Sequence, residues 1–525
     1  MSRVVKYGAA GAGLFVFGVM FGWMIFPKIL KSQVHKQVNL KEGSQVRPLW
    51  SKFPFALEFR VYLFNVTNAD DIKNGAKPIL HEVGPYYFEK WQEKVDLQDH
   101  EEDDTVDFSI KNKWIFRPDM SEGLTGNEEL IYPHIFILAM AMGAVREKPA
   151  MLPIVNKAIN SIFKSPDNVF VKVRAMDVMF DGLPIDCTVQ DIAGSAVCAM
   201  VKENADELMK DGENKYKFSL FGAKNDTASK KRLRVLRGVK HQMDVGVVVE
   251  YNGKKNISTW DDEYCDTFNG TDGTVFHPFF GEKEDIVTFA PDICRSLSFT
   301  HERKSSYKGF HTSRYTGFLG DPNTMPWQKC YCPSPDKCLG KGVMDIYKCT
   351  GVPLVLSHAH FYRGDESYLT MVDGLNPSKE KHDLFLEFEP FTGTPLLAMS
   401  RIQMNIMIHK VEKIKIMKNF PEAMLPLLWI EESVGLPDWL LKQVKSGLRM
   451  VAIAGYLKWL MIFGGLIMCG FAVFFYFHGA QKSSNRIQLP KVTSNNSSNS
   501  GSVDKKISPL SVRTLHAAQV PAALD

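Results

Sequence analysis

The chain has 525 residues, of which 63 are Lys or Arg and 59 are Asp or Glu, so its formal net charge is +4. This balance creates no extended positive field, which argues against a nucleic-acid partner. Hydrophobic residues make up 45% of the chain, enough to build a large buried core.

The first predicted element is an apolar helix near the N-terminus. Residues 7–26 carry no charged side chain, and a helix needs about 20 apolar residues to cross a bilayer. The segment ends at Phe26-Pro27-Lys28 and lacks the small residues of a signal-peptidase site, so we expect it to be retained. We assign residues 1–6 to a cytoplasmic N-terminus and residues 7–29 to the first transmembrane helix.

Within the first span, Gly18 and Gly22 form a G-x-x-x-G motif. The motif permits close helix approach, either to a second span or to a neighbouring chain.

The long segment 30–449 is predicted to be one extracellular ligand-binding domain. No low-complexity linker interrupts it, and loops of this length are translocated largely regardless of their charge. Its sequons predict N-glycosylation at Asn65, Asn225, Asn256 and Asn269.

Strand signals dominate this segment. β-Branched and aromatic residues recur in short runs bounded by turn residues. The predicted strands are Ala56–Asn65, Lys240–Tyr251, Val352–Phe361, Leu384–Glu389 and Ile402–Ile408. The pair Asn252-Gly253 predicts a hairpin turn.

Helix signals concentrate at about residues 127–181, which are predicted to form a helical apex. Residues 135–145 are consecutively apolar but too few to cross a bilayer, which favours a buried helix. In the next segment Ile154, Ala158 and Ile162 repeat at every fourth position, which predicts an amphipathic helix. Apolar surface in such a lobe often marks a lipid or protein contact.

Two oppositely charged runs stand out in the domain. Acidic residues crowd positions 96–107, and basic residues crowd positions 224–240. We favour the interpretation that both are solvated loops or strand edges. Binding of an anionic partner by the basic run is the alternative.

Cysteines cluster in the segment 265–349. They are Cys265, Cys294, Cys330, Cys332, Cys338 and Cys349. A compact, even set in an extracellular segment predicts a disulfide framework. A zinc site is the less favoured alternative because paired C-x-x-C spacing is absent. Cys187 and Cys198 are interpreted as buried thiols or an additional bridge.

A second apolar helix follows the domain. Residues 459–477 carry no charge, and residues 450–457 extend the apolar stretch. We assign residues 450–478 to the second transmembrane helix and residues 479–525 to a disordered cytoplasmic tail rich in Ser and Asn. Cys469, inside this span, is either a lipid-facing packing residue or a palmitoylation candidate.

Catalytic motifs are missing from the sequence. It shows no G-x-S-x-G elbow, no P-loop and no H-E-x-x-H. His358 and His360 lie on one face of a predicted strand, as a metal pair could, but the sequence places no third ligand, so we favour a structural pair. We therefore expect a binding protein rather than an enzyme, without cofactor or metal.

Several longer motifs resemble the class B scavenger receptor family. They are CDTFNGTD at 265–272, DICRS at 292–296, DGLNP at 373–377, EPFTG at 389–393, RIQMN at 401–405 and PLLW at 426–429. The resemblance covers nearly the whole chain. Within the family it is strongest to the insect sensory neuron membrane proteins, in the first, pheromone-associated subfamily.

The resemblance implies a fold and a disulfide pairing. The fold is α+β: a large antiparallel β-barrel-like ectodomain with a helical apical bundle and an apolar tunnel, plus two terminal transmembrane helices. The implied pairs are Cys265–Cys330, Cys294–Cys349 and Cys332–Cys338.

The resemblance also implies a function in the plasma membrane of olfactory neuron dendrites. The chain would be a receptor or co-receptor that captures fatty-acid-derived lipids or pheromones and passes them to the bilayer and an odorant receptor complex. Soluble odorant-binding proteins would deliver the ligand. An adhesion, trafficking or scavenger receptor for protein or lipoprotein partners is the alternative.

On the lipid hypothesis, the apolar helices form the ligand entrance, and two lysines steer polar head groups. The predicted entrance residues are Ile135, Leu138, Met142, Ile154, Ala158, Ile162, Lys157 and Lys164.

Overall fold

The structure, a computed structural model, describes residues 2–203, 207–281, 283–334 and 336–484. Residues 485–525, most of the predicted tail, lie outside the described residues. The described residues divide into two compact units, one formed by residues 2–19 and 459–484 and the other by the described residues between Met20 and Lys458.

Helices lie at both ends of the chain and in several insertions between strands. They are α1 (Ser2–Met20), α2 (Phe26–Gln37), α3 (Val46–Ser51), α4 (Ala69–Lys73), α5 (Ile135–Glu147), α6 (Leu152–Ile162), α7 (Ile192–Glu203), α8 (Tyr347–Thr350), α9 (Glu366–Met371), α10 (Lys379–His382) and α11 (Asp438–Ser484). One π-helical turn, Phe21–Ile25, joins α1 to α2.

Strands make up most of the larger unit. They are β1 (Leu57–Val66), β2 (Leu80–His100), β3 (Thr105–Phe116), β4 (Glu129–Pro133), β5 (Phe170–Arg174), β6 (Leu183–Asp186), β7 (Met209–Lys210), β8 (Lys215–Phe218), β9 (Thr227–Leu236), β10 (Val248–Tyr251), β11 (Ile286–Ala290), β12 (Arg295–Tyr307), β13 (Phe310–Gly317), β14 (Val343–Asp345), β15 (Leu354–His358), β16 (Phe385–Glu389), β17 (Thr394–Ile408) and β18 (Ala423–Gly435).

One large sheet of the described residues runs in the order β10-β9-β3-β2-β1-β18-β17-β16-β13-β12-β11, and β15, paired with β14, joins it at β17. Its two ends meet at Thr271, which bridges Val247 beside β10 and Thr288 in β11. The Thr271 N–H donates to the Val287 carbonyl at 3.1 Å, and its carbonyl accepts from the Phe289 N–H at 2.8 Å. This near closure leaves few unpaired strand edges. The predicted α+β class with a barrel-like antiparallel sheet is confirmed.

Burial along the strands follows the pleat. On β1, Leu57, Phe59 and Val61 are buried, while Glu58 and Arg60 between them are half-exposed. Because successive side chains point to opposite faces, one face of β1 packs into the interior. On β18 the first seven residues are all buried, so both faces of that strand are covered there.

One predicted strand is wrong over most of its length. Of Lys240–Tyr251, only Val248–Tyr251 is a strand, and residues 242–244 form a short helical turn. The Asn252-Gly253 turn is present, with φ of 51° and 77°, and the Tyr251 N–H donates to the Lys254 carbonyl at 3.0 Å. Tyr251 and Lys254 form an antiparallel bridge across this turn, so the predicted hairpin turn is confirmed. The pairing ends at that bridge, since the next described strand, β11, starts only at Ile286.

Both predicted spans lie within longer helical segments. Residues 3–37 and 438–481 are each long and apolar enough to cross a membrane. Residues 479–484, which we expected in the disordered tail, continue α11 instead. The extra turns continue the backbone hydrogen bonding of the apolar helix before the Ser- and Asn-rich segment begins.

In the smaller unit the two terminal helices approach closely at small residues. A Cβ placed on Gly11 would lie 2.8 Å from the backbone N and the Sγ of Cys469, and one on Gly18 would lie 3.0 Å from Met461 Cβ. Gly18 therefore packs against the second apolar helix of the same chain, one of the two alternatives for the motif. Cys469 contacts the first helix rather than facing lipid alone.

Candidate ligand-binding site

Residues 127–203, called the helical lobe below, form the candidate site. The lobe comprises α5, α6 and α7 together with the two-stranded sheet β4–β5. The first two helices match the predicted apex, whereas α7 was not predicted. Its sequence, IAGSAVCAMVKE, contains Gly194, Ser195 and the β-branched Val197, whose helix propensities are lower than that of alanine.

Helix α5 begins at a buried histidine. The Nδ1 atom of His134 accepts the Ile137 backbone N–H at 3.4 Å, as an N-cap does, and its ring packs edge-on against Phe163 at 4.7 Å. Burial lowers the pKa of His134 to about 4. The imidazole is therefore neutral at physiological pH, which keeps Nδ1 available as an acceptor.

The interior of the lobe is continuous with the interior of the barrel. Ile137, Leu138 and Met142 of α5 belong to the same buried apolar cluster as Phe59 of β1 and Trp429 of β18. The sequence therefore builds one apolar core that extends from the helices into the sheet.

Helix α7 packs against α6 through a second apolar cluster, and a disulfide holds it in the lobe. Ala158 and Ile162 of α6 share that cluster with Cys198 and Val201 of α7. Cys198 is bonded to Cys187, one of the two alternatives for these cysteines. The bridge ties α7 to the segment that follows β6 and limits its motion.

The structure places the predicted entrance residues in two different environments. Those with at most 5% exposure are Ile135, Leu138, Met142, Ala158 and Ile162. They pack inside the lobe because α5 and α6 turn their apolar faces toward the barrel and α7, so they do not line an open mouth. Ile154 (37% exposed), Lys157 and Lys164 lie on the surface.

Two further exposed apolar residues of the lobe lie on helix α7. Ile192 is 90% exposed and Met200 is 60% exposed, both on α7. We did not select them from the sequence. Their spacing of eight residues, two helical turns, was the signal that could have identified one outward face.

Lys164 follows the end of α6 in a tight turn. Lys164 and Ser165 have φ of 58° and 56°, and the Ser165 N–H donates to the Asn160 carbonyl at 2.8 Å. A cation at this position lies beside the negative end of the helix dipole. The lysine is exposed, as head-group steering would require, and that role stays a prediction.

The cysteine segment contains three disulfides in the described residues. They join Cys265 to Cys330, Cys294 to Cys349 and Cys332 to Cys338. These are the three pairs that the family resemblance implies. Because each sulfur is bonded to another sulfur, this structure offers no thiolate for the zinc alternative.

Of the two histidines at 358 and 360, His360 is held by protein groups at both ring nitrogens. The Nε2 of His360 lies 2.6 Å from the Glu82 carboxylate, and its Nδ1 accepts the Asn376 N–H at 3.0 Å. Both ring nitrogens of His360 are therefore used. His358 is fully buried in the sheet, and burial lowers its pKa to about 4.

The acidic and basic runs pair with each other across β3 and β9. Arg234 contacts the Asp107 carboxylate at 2.6 Å, and Arg237 contacts Asp104 at 3.2 Å and Asp99 at 3.1 Å. The strand register places Asp107 of β3 opposite Arg234 of β9. Arg237 follows β9 directly, where it meets Asp104, just before β3, and Asp99 of β2. Two arginines of the basic run, Arg234 and Arg237, are therefore neutralised within the domain.

The four sequon asparagines differ in exposure. Asn256 and Asn269 are exposed. Asn65 and Asn225 are half-buried, and each uses its Oδ1 to accept a backbone N–H, at 2.7 and 2.9 Å. Since a glycan is attached through Nδ2, these bonds are compatible with modification. Occupancy stays a prediction at all four positions.

Comparison with known proteins agrees with this architecture. The model of the CD36 family matches residues 9–476. The chain is 46% identical over 520 residues to "Sensory neuron membrane protein 1" of Apis mellifera, covering 99% of both chains. It is 45% identical to the protein of that name from Antheraea polyphemus, covering 91% of both, and 43% identical to the one from Manduca sexta, covering 91% and 92%. With two candidate spans and the barrel-like sheet between them, the chain belongs to the CD36 family of membrane receptors, as the motifs predicted.

Proposed function

We propose that this protein is a double-pass cell-surface receptor or co-receptor that captures fatty-acid-derived ligands, including pheromones, and passes them through its ectodomain toward the membrane and an odorant receptor. The observation that carries the proposal is the single apolar cluster shared by the lobe helices and the barrel strands. The name of the relatives, which refers to sensory neurons, supports the sensory setting.

The driving force is the hydrophobic effect. Each buried methylene contributes about 0.8 kcal/mol, so an acyl chain of about ten methylenes gains about 8 kcal/mol on leaving water. A route lined by apolar side chains keeps the acyl chain out of water, so most of this favourable free energy is retained along the route. Release into the bilayer then costs little, because the ligand exchanges one apolar environment for another.

Entry is expected on the exposed side of α6. Ile154 and Lys157 are three residues apart, so they lie on the same face of the helix, and both are exposed. The isoleucine offers apolar contact to the acyl chain and the lysine a cation to a carboxylate head group. Because Leu138 and Ile162 beneath are buried, passage requires α5 and α6 to separate. The tunnel is therefore proposed as a state that the ligand opens.

The test is uptake of a fluorescent fatty-acid analogue by the full-length chain in lipid nanodiscs. Ile154→Glu should reduce uptake strongly, since it places a charge on the apolar entry face. Ile115→Glu is the matched control, because Ile115 on β3 is 40% exposed against 37% for Ile154 and lies outside the lobe. Equal uptake by both variants and the native protein would refute this entry route.

Topology and location need their own test. Epitope tags at both termini should be detected only after permeabilisation, because both ends are proposed to be cytoplasmic. Detection of either tag on intact cells would contradict the double-pass arrangement. Staining of olfactory dendrites, and loss of pheromone-evoked current on removal of the protein, would support the sensory role.

The alternative, a scavenger or adhesion receptor that binds protein or lipoprotein partners by charge, has less support. Arg234 and Arg237 of the basic run are engaged by carboxylates of the same domain. Lys230 and Lys231 are exposed. Their reversal to glutamate should leave lipid uptake unchanged; loss of protein binding in that variant would favour the alternative.

A further inference from the structure

Arg295 is a buried arginine without a carboxylate partner. It is the first residue of β12, follows the bridged Cys294 and is only 6% exposed. Its Nε is buried and makes no hydrogen bond. Among the described residues, no carboxylate lies within ion-pairing distance of this guanidinium. A buried charge without compensation is strongly unfavourable, so the site needs a counter-charge.

The aromatic neighbour of Arg295 offers only partial compensation. The guanidinium carbon lies 3.8 Å from the centroid of the Tyr331 ring, and Trp260 packs edge-on against that ring at 5.0 Å. A cation over an aromatic face is stabilised by the ring quadrupole, but the ring carries no net charge. Burial also lowers the pKa of Arg295, because the charged guanidinium loses its hydration in the interior. The lowered pKa agrees with the free-energy cost of the buried charge.

Arg295 lines a small cavity in the cystine-linked segment. Other lining residues include Gln328, Tyr331 and Asp345. The Asp345 carboxylate is already used: it pairs with Arg146 at 2.7 Å and accepts the Tyr347 N–H at 2.9 Å. The one carboxylate at the cavity is thus neutralised by a different arginine, and the positive charge of Arg295 remains.

Gln328 supplies a second donor. Its Oε1 accepts the Asp321 backbone N–H at 3.1 Å, which fixes the carboxamide and leaves the Nε2 hydrogens without an acceptor in the described residues. The space in which the centre of a water molecule could lie measures about 10 Å³. This is room for about one water molecule or one ion of similar size.

We propose that this cavity binds one small inorganic anion of the chloride class, held by Arg295 and Gln328. A carboxylate lipid or a phosphate is too large for the space. The bound anion would neutralise Arg295 and stabilise the cystine-linked segment, because both Arg295 and Tyr331 are adjacent in sequence to bridged cysteines. This anion site is separate from the proposed lipid route and does not depend on it.

The first experiment compares thermal unfolding of the full-length chain in sodium chloride and in sodium gluconate at equal ionic strength. Chloride should raise the melting temperature in a saturable manner, since a ligand that binds only the folded state stabilises it by mass action. Arg295→Gln should abolish the difference between the two salts. Arg303→Gln, an exposed arginine on the same strand, should retain it.

A second measurement covers the case in which Arg295→Gln does not fold. Crystals of the native protein grown in bromide should show an anomalous peak within hydrogen-bonding distance of Arg295 and Gln328. Bromide reports on the anion directly and requires no variant. Equal melting in both salts together with no bromide at Arg295, so that the cavity holds water only, would overturn the proposal.

Discussion

The indole Nε1 of Trp429 on β18 donates a 2.6 Å hydrogen bond to the carboxylate of Glu82 on β2, and the same oxygen contacts His360 Nε2 at 2.6 Å. Because His360 Nδ1 accepts the Asn376 N–H, Nε2 is the nitrogen that carries the proton. Burial alone would raise the pKa of Glu82, but the bonds from His360 and Trp429 outweigh it and lower that pKa. One carboxylate therefore joins three segments of the barrel.

Glu82→Gln should destabilise the ectodomain by about 1–3 kcal/mol. The neutral amide accepts less strongly than the carboxylate, and its NH₂ group places a donor where Trp429 and His360 also donate. The measurement is urea unfolding of the native protein and the variant. Glu42→Gln, at an exposed glutamate, is the control and should unfold like the native protein. Equal stability of both variants would show that the Glu82 network contributes nothing.

Stability should fall as the pH falls below about 6.5, the ordinary pKa of histidine. The pKa of His134 is lowered to about 4 in the folded state, so the unfolded chain binds the proton first. The contribution of neutral His134 to the free energy of unfolding is complete above about pH 6.5. It is lost as the pH falls toward 4, at about 1.4 kcal/mol per pH unit for each proton. His358, whose pKa is also lowered to about 4, adds to the slope.

The variant His134→Asn isolates the contribution of this lobe histidine to the pH dependence of stability. Asparagine keeps the N-cap, so at pH 7 the variant should lose only the packing of the ring against Phe163, about 1 kcal/mol. Between pH 6 and 4.5, the variant should lose about one proton's share of the pH dependence. An unaltered slope would mean that His134 binds protons equally well in both states.

Removing Arg237 should be costly because its partner Asp104 is buried. Arg237 and Asp104 are each 4% exposed. Arg237→Met leaves the Asp104 carboxylate without its ion-pair partner, for which we expect a loss of about 3–5 kcal/mol in unfolding free energy. The double variant Arg237→Met/Asp104→Leu should recover part of it. Lys231→Met, at an exposed position in the same run, should have little effect.

Adding one methyl group to Gly11 should disturb the helix pair of the smaller unit. Its Cβ would lie 2.8 Å from Cys469 and 2.9 Å from the Gly465 carbonyl, whereas a Cβ on Gly13 meets no atom within 4 Å. We expect Gly11→Ala to cost about 1–3 kcal/mol through overpacking and Gly13→Ala to be tolerated. Thermal unfolding in nanodiscs compares them. Similar melting of the two variants would contradict this packing.

Local patterns in the sequence predicted part of the structure well. The apolar runs at residues 7–26 and 459–477 correctly predicted both terminal helices. The repeat at Ile154, Ala158 and Ile162 correctly predicted α6. Each depends on a period within one segment. The same repeat did not show which surface the apolar face covers, so Ala158 and Ile162 were predicted to line an entrance although both are buried.

Other strands were not predicted because charged residues interrupt their apolar alternation. β2 includes Glu89, Lys90 and Lys94, yet Lys90 and Lys94 are buried: the first pairs with Glu432, and the second donates to the Trp50 carbonyl. A buried lysine is stable only beside such partners, which come from distant parts of the chain. The alternation of β2 is therefore recognisable only after the sheet has formed.

The amino-acid sequence by itself determined the two apolar ends, the β-rich domain between them, the cysteine framework and, through its motifs, the family. Each of these follows from composition or from residues close together in the chain. The tertiary structure decided which charges neutralise each other, which lobe residues are exposed and that Arg295 faces a cavity whose carboxylate, from Asp345, is already paired with Arg146. These depend on strand register and packing, which bring together residues more than a hundred positions apart, such as Asp107 and Arg234, and no local pattern encodes that pairing.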